Sequence, residues 1–252
     1  MPISLSDRQK QEESYHDLKY KNYVDEGPNR EMKAYSYFRK FRKNVKNLRI
    51  LDYGCGNGWL SIDLAKGGAA EVYGIDISKE LIEKANQSAE EKGLANKVHF
   101  YKMPAENLTF SNDFFDLCLG SAILHHTELN ASISNIRRVL KPGGKAIFLE
   151  PMNQNIFLRV WRKLTPWRRS PTEKALVNND LKFIATCFPE AKFQFFVFSS
   201  IITEGFLLAF PKNKLIRSLN TIFESLDEKL LKRFPSLGMY CAIVVLELKK
   251  EH

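Results

Sequence analysis

The stretch LDYGCGNGW, Leu51 to Trp59, sets Gly54, Gly56 and Gly58 in a tight alternation directly behind an apolar run that ends in Asp52. A glycine-rich turn between a strand and a helix lets a ligand approach the backbone and meet its amides, because a Cβ there would collide. Trp59 stands where a dinucleotide fingerprint requires its third glycine, which disfavours NAD and FAD. VYGIDIS follows and puts Asp76 at the carboxyl end of a second strand, about 20 residues beyond the loop, where a carboxylate can take both hydroxyls of a ribose. The spacing therefore predicts a ribose without a pyrophosphate.

Outward from this turn, LRILDY, EVYGID, KVHFYK, FFDLCLGS and GKAIFLE read as successive strands. Helical patterns lie between them in WLSIDLAKG, in SKELIEKANQSAEEKG and from Leu129 to Leu140. Ser78 is placed to cap the second of these helices, Gly93 to end it, and KPGG (Lys141 to Gly144) to close the third. Alternation of this kind specifies an α/β fold, a parallel sheet with helices on both faces. After Glu150 the rhythm changes. A basic, aromatic stretch leads to a helix at NNDLKFIATCF, and two more strands, KFQFFVFS and YCAIVVLELKK, flank a helical insertion far too long for a hairpin loop.

The chain has 252 residues, 44% of them hydrophobic, enough for one large core. A single domain over 1–252 is expected, with 1–44 as an amino-terminal helical lid, 48–150 as a ligand-binding core and 151–252 as acceptor-side elaborations carrying the last two strands. The charged amino terminus has no signal-peptide pattern and no segment is long and apolar enough to span a membrane, so a cytoplasmic location is expected. Cys55, Cys118, Cys187 and Cys241 stand singly, which argues against structural zinc, a redox pair or a disulfide framework, and no metal is expected. The net charge of +9 favours phosphate-rich or anionic surfaces as contacts, or simply describes a basic enzyme.

From residue 48 to 150 the chain resembles the class I S-adenosylmethionine-dependent methyltransferases of small molecules. LDYGCGNG is similar to their glycine loop and GIDIS to their ribose-binding strand end. PAENLTF, FDLCLGSAILHH and RRVLKPGGKAIFLEP resemble the blocks that follow, in order. The resemblance implies a Rossmann-like seven-stranded sheet, mostly parallel, with an antiparallel last strand between the fifth and sixth, a helical lid, and an insertion over the acceptor site. It implies S-adenosyl-L-methionine as cofactor and S-adenosyl-L-homocysteine as product. Asp52, Gly54 and Gly56 would hold the methionine portion, Gly58 would also belong to the cofactor site, Asp76 would hold the ribose, and Ile77 would flank the adenine. Gly120 would offer its carbonyl to the cofactor's amino group. Pro104-Ala105-Glu106 departs from the family's Asp-Ala-Glu, which leaves the Ala105 amide and the Glu106 carboxylate to meet the adenine.

His125 and His126 follow the fourth strand, at the rim where the methyl group would point, and either suits a general base. Packing at the helix entrance is the alternative role for each. Tyr15, Tyr20 and Tyr23 lie in the lid segment, where they can cover the cofactor, orient the acceptor or pack a surface helix. Arg159 to Arg169 sets basic residues around Trp161 and Trp167, read as a solvated helix face or as a surface for anionic lipid, acidic substrate or nucleic acid. Leu215, Leu219, Ile222, Phe223 and Leu226 recur at helical spacing, a pattern expected to pack on the core, while the insertion as a whole is placed to give the acceptor pocket apolar walls.

The expectation is methyl transfer to a small or lipid-like acceptor, oxygen first, with nitrogen or carbon transfer, an RNA methyltransferase and a non-catalytic cofactor-binding regulator as alternatives. The absence of an Asn/Asp-Pro-Pro-Tyr motif at GSAI disfavours exocyclic amines and nucleic acid. A monomer or homodimer, with peripheral contact to an anionic membrane as an option, completes the expectation.

Overall fold

The computed structural model describes residues 5–20, 32–165, 170–210 and 212–251, without the side chains of Tyr20, Trp161, Leu208 and Ala209. The strands are β1 (Arg49–Tyr53), β2 (Glu71–Asp76), β3 (Val98–Lys102), β4 (Phe115–Ser121), β5 (Leu140–Pro151), β6 (Lys192–Phe196) and β7 (Ile243–Lys249). They form one sheet in the order β3-β2-β1-β4-β5-β7-β6. The first five pair in parallel, and β7 runs antiparallel to both β5 and β6. Each strand expected from the sequence is present, and the last lies between the fifth and sixth.

The helices are α1 (Asp7–Tyr20), α2 (Lys33–Arg39), α3 (Trp59–Lys66), α4 (Lys79–Glu91), α5 (Leu129–Val139), α6 (Ile156–Leu164), α7 (Asn178–Cys187), α8 (Ile201–Ala209) and α9 (Lys214–Arg233). The central strands are buried on both faces, which is why they read as continuous apolar runs rather than as alternation. Leu51, Tyr53, Phe148 and Leu246 point to one core with α5 and α7, whereas Ile50, Leu119, Ile147 and Val245 point to the other with α2, α3 and α4. Ser78 caps α4 as expected, its Oγ accepting from the Leu81 amide at 3.1 Å, and Gly93 follows the helix at φ +65°.

KPGG behaves differently from expectation. It lies within β5 as an irregularity, because the pairing with β4 jumps between Phe115 and Leu117 and absorbs the extra residues.

The insertion forms α8 and α9, which pack on each other and, through α9, against the β6 end of the sheet. The expected packing of the α9 stripe is not observed. Leu215, Leu219, Ile222 and Leu226 are exposed, Phe223 alone is partly covered, and the buried residues of α9 are Asn220 and Asp227. The reason lies in Asp227, whose carboxylate accepts the amides of Phe198, Ser199 and Ser200 at the start of α8, at 3.0, 2.8 and 3.2 Å, and so turns the polar side of α9 inward.

Candidate functional site

Parallel strands leave their carboxyl ends on one edge, and here β1, β2 and β4 open there into a cavity of about 650 Å³, roofed by α1. The glycine turn forms its floor. Gly58 begins α3 at φ +80°, and a Cβ on it would lie 2.5 Å from Phe100 Cζ. Gly56, at φ +54°, has nothing within 4 Å of where its Cβ would be, so its backbone faces open space. The Gly56 amide donates to Asp76 Oδ2 at 2.9 Å, and the Ser78 amide donates to Asp76 Oδ1 at 2.9 Å, which locks the end of β2 to the turn after β1.

Asp52 is 2% exposed and accepts a hydrogen bond from Ser61 Oγ at 2.6 Å. Burial pushes its carboxyl up to about 7, Ser61 opposes the rise and nearby Asp76 adds to it. Burial raises Asp76 as well, against the Ser78 and Gly56 amides and His16. Two carboxyls held up in this way form an acidic floor suited to a cationic ligand. Arg8 also lines the cavity, but its guanidinium is committed to the Glu106 carboxylate and the His126 carbonyl.

Of the residues singled out from sequence, Asp52, Gly54, Gly56, Asp76, Ile77, Ala105, Glu106 and His126 line this cavity. Gly58 is buried beneath it as the helix cap, and Gly120 is buried within β4, with Ser121, Ala122 and Ile123 forming the wall instead. Glu106 serves a purpose not anticipated. Its carboxylate accepts from Arg8, from Gln9 Nε2 at 2.9 Å and from the Glu128 amide at 2.9 Å, so it anchors α1.

The two histidines separate. His125 is buried away from the cavity, its Nδ1 2.8 Å from Glu150 Oε2, while Glu150 also accepts the Ile123 and Leu124 amides at 2.9 and 2.8 Å. That pair fixes the loop after β4. His126 reaches the cavity, and Glu12 Oε2 from α1 lies 3.1 Å from its Nδ1, off the hydrogen-bonding axis. Burial depresses the His126 pKa, helped by His125 and His16 and opposed by Glu12, so the ring is neutral at neutral pH. For Glu12 burial acts upward, but His126, His16 and Thr172 together hold its carboxyl well below the usual range.

Glu12, Arg8 and Gln9 were not anticipated, and His16 was expected only as part of the amino-terminal helical segment. The four recur at i, i+1, i+4 and i+8 on α1 and form a polar stripe, a pattern easily taken for a solvated face. Tyr15 lies outside the cavity lining and packs edge-on against His16, with ring centroids 5.5 Å apart. Tyr23 and Trp167 lie outside the described residues, as do the side chains of Tyr20 and Trp161. Single cysteines gave no sign of a metal site, yet Glu12, His16 and His126 bring three potential ligand atoms within 4.8 Å of one another. None of the described residues of α8 or α9 lines the cavity, which sets the insertion apart from the acceptor walls expected of it.

A methyltransferase-domain family model matches residues 44–212, which spans β1 to α8 and the whole glycine-loop edge. The chain belongs to the class I S-adenosylmethionine-dependent methyltransferases. This methyltransferase is 37% identical over 112 residues to the ubiquinone biosynthesis O-methyltransferase of Coxiella burnetii, a match covering 44% of this chain and 46% of that protein. It is 30% identical over 111 residues to the ubiquinone/menaquinone biosynthesis C-methyltransferase of Geotalea daltonii, covering 43% and 47%. The methyltransferase thus spans about half the length of the curated relatives it matches. Its fold superposes on the geranyl diphosphate C-methyltransferase of Streptomyces coelicolor A3(2) with a TM-score of 0.68 at 12% identity, over 98% of this chain and 100% of that one. At that identity the likeness speaks for the fold alone.

Proposed function

We propose that this methyltransferase moves the methyl group of S-adenosylmethionine to a hydroxyl of a small, largely apolar acceptor, with His126 as the general base. The observation that carries the proposal is the position of His126 in the same cavity as the glycine loop and the two raised carboxyls. The residues present fit the cofactor: Gly56 offers open backbone, Asp76 lines the cavity where it would take the ribose hydroxyls, and the acidic floor suits a cationic methionine portion. When bound, the cofactor supplies a methyl group already activated on a sulfonium.

The protein's own contribution is alignment and proton removal. The Glu12 carboxylate favours the His126 proton on Nδ1, which leaves Nε2 with a lone pair to accept the hydroxyl proton as the oxygen attacks. A depressed pKa keeps that lone pair available near neutral pH. Hydroxyl acceptors need such a base more than amines do, and the ubiquinone biosynthesis relative named above is an O-methyltransferase. Another relative is a C-methyltransferase, so a quinone-precursor ring methylated at carbon is the second reading.

The experiment is a paired one. Cofactor binding is measured by calorimetry for the unaltered protein and Asp76→Ala, and turnover on a panel of phenols and quinols is measured for His126→Ala. Loss of binding in Asp76→Ala with retained binding but a rate lower by about 10²- to 10⁴-fold in His126→Ala is expected. Unchanged turnover in His126→Ala sinks the base, and cofactor affinity indifferent to Asp76 sinks the cofactor placement.

A further inference from the structure

Helices of a folded domain in water turn apolar residues inward and polar residues outward. α9 does the reverse. Leu215 is 69% exposed and Ile222 62%, with Leu219 and Leu226 exposed on the same line, whereas Asp227 is 4% exposed and Asn220 is buried beside it. The contact between α8 and α9 is correspondingly polar, since Thr203 Oγ1 donates to Asn220 Oδ1 at 2.6 Å and Ser200 Oγ donates to Asp227 at 2.7 Å. Ile202, Phe206 and Phe210 of the α8 segment are exposed as well.

α6 also leaves apolar residues exposed. Leu158 points inward to a small cluster with Val197 and Ala242 that Ile201 of α8 also joins, while Ile156, Phe157, Val160 and Leu164 are all exposed. That shared cluster places α6 and α8 beside one another. Exposed apolar area on this scale marks a partner surface rather than scattered surface residues.

Charge selects the partner. On α9 the acids lie off the apolar stripe and are engaged: Asp227 is buried and caps α8, the half-buried Glu224 carboxylate accepts the Lys33 amide at 3.3 Å, and the exposed Glu228 pairs with Lys33 Nζ at 2.8 Å. The exposed stripe is bordered instead by cations. Lys229 and Arg233 stand three and seven residues beyond Leu226 on the same side, with Lys214 and Lys232 exposed alongside. On α6, Arg159 and Lys163 are exposed next to the apolar residues. An apolar face rimmed by cations is the pattern of a helix lying in an anionic bilayer interface, where long basic side chains reach up to the headgroups. A second copy of the chain, net charge +9, would set like charges against one another on the same face.

We propose that the outward faces of α6, α8 and α9 form a docking surface for an anionic lipid bilayer, bound peripherally, since no described helix is long and apolar enough to cross one. The surface stands apart from the cofactor cavity, so the proposal holds whatever the acceptor is.

The test is co-flotation of the intact protein with vesicles of phosphatidylcholine alone and of phosphatidylcholine mixed with phosphatidylglycerol. Binding to the mixed vesicles, weakened by salt, and at least about tenfold lower in Ile222→Glu/Leu226→Glu and in Lys229→Glu/Lys232→Glu is expected. Both variants alter exposed side chains, so unchanged circular dichroism, melting and cofactor binding keep the comparison clean. Equal recovery with and without vesicles overturns the proposal. So does sedimentation that finds a dimer dissolved by Ile222→Glu/Leu226→Glu without any vesicle binding, because the face then belongs to a second copy.

Discussion

Glu12 Oε2 lies 3.1 Å from His126 Nδ1, so the carboxylate beside the candidate base comes from α1 and not from the sheet. The pair is therefore made across the cavity, between α1 and the loop after β4. Glu12 raises the His126 pKa against burial, His125 and His16, and its removal lowers that pKa further. Glu12→Gln is expected to cut turnover by roughly 10- to 100-fold, leave cofactor affinity unchanged and move the acid limb of the pH–rate profile to lower pH. A limb that stays in place, or moves up, would show that Glu12 does not act on His126. Because Glu12, His16 and His126 converge, a chelator control belongs in the same series: activity lost to chelation and restored by a divalent cation would replace the base with a bound metal.

The Asp52 carboxyl, pushed up to about 7, ties cofactor binding to pH. A cationic ligand favours the ionised carboxylate, so binding below that value must release a proton. Affinity is expected to fall by up to about tenfold per pH unit as the pH drops below about 7, and to level off above it. The free protein is expected to follow the opposite trend in stability. A carboxyl raised on folding contributes fully below its unfolded value near 4 and loses that contribution as pH rises through its folded value. The melting shift given by the cofactor is therefore expected to grow between about pH 6 and pH 8. Calorimetry in two buffers of different ionisation enthalpy checks the proton directly; identical heats at about pH 6 would mean that none is released.

His125 and His126 are neighbours in sequence with different tasks. His125→Ala strips a partner from the buried Glu150 carboxylate, which organises the Ile123 and Leu124 amides. It is expected to destabilise the fold by about 3–5 kcal/mol in urea melts and to spare most of the turnover of the molecules that remain folded. His126→Ala is expected to do the converse. A stable His125→Ala protein with abolished chemistry would reverse the two roles.

What was legible in the sequence follows from what repeats. Strands buried on both faces give continuous apolar runs, and a ligand loop needs glycine, so β1 to β5, Asp52 and Asp76 could be read directly. The place of β7 came only through family resemblance, since nothing local to YCAIVVLELKK specifies an antiparallel slot between β5 and β6. Glu12 was hidden because α1 binds through polar groups, among them Lys102 with Glu13 and Ser78 with Asp17, and so lacks an apolar period. The α9 stripe misled for the complementary reason. Helical spacing shows that a face exists but not which way it turns, and the signal that decides it, Asn220 and Asp227 on the opposite side, gains meaning only once Thr203 is seen against Asn220, and Ser199 and Ser200 against Asp227.

Asp227 carries the inverted orientation of α9 and can be tested for it. Burial would raise its carboxyl, but the hydroxyls and amides of Ser199 and Ser200 hold it below the ordinary carboxylate value. A carboxyl depressed on folding contributes stability above its unfolded value near 4 and loses it as the pH falls through the lower folded value. Asp227→Ala leaves the Phe198, Ser199 and Ser200 amides at the start of α8 without their acceptor and is expected to cost about 2–4 kcal/mol at neutral pH. Asp227→Asn retains an acceptor and is expected to cost less. The difference between Asp227→Ala and the unaltered protein should shrink in melts carried out below about pH 4, where the carboxyl of the unfolded chain takes up its proton before the native one does. A constant difference across that range would mean that the Asp227 charge does not hold α8 to α9.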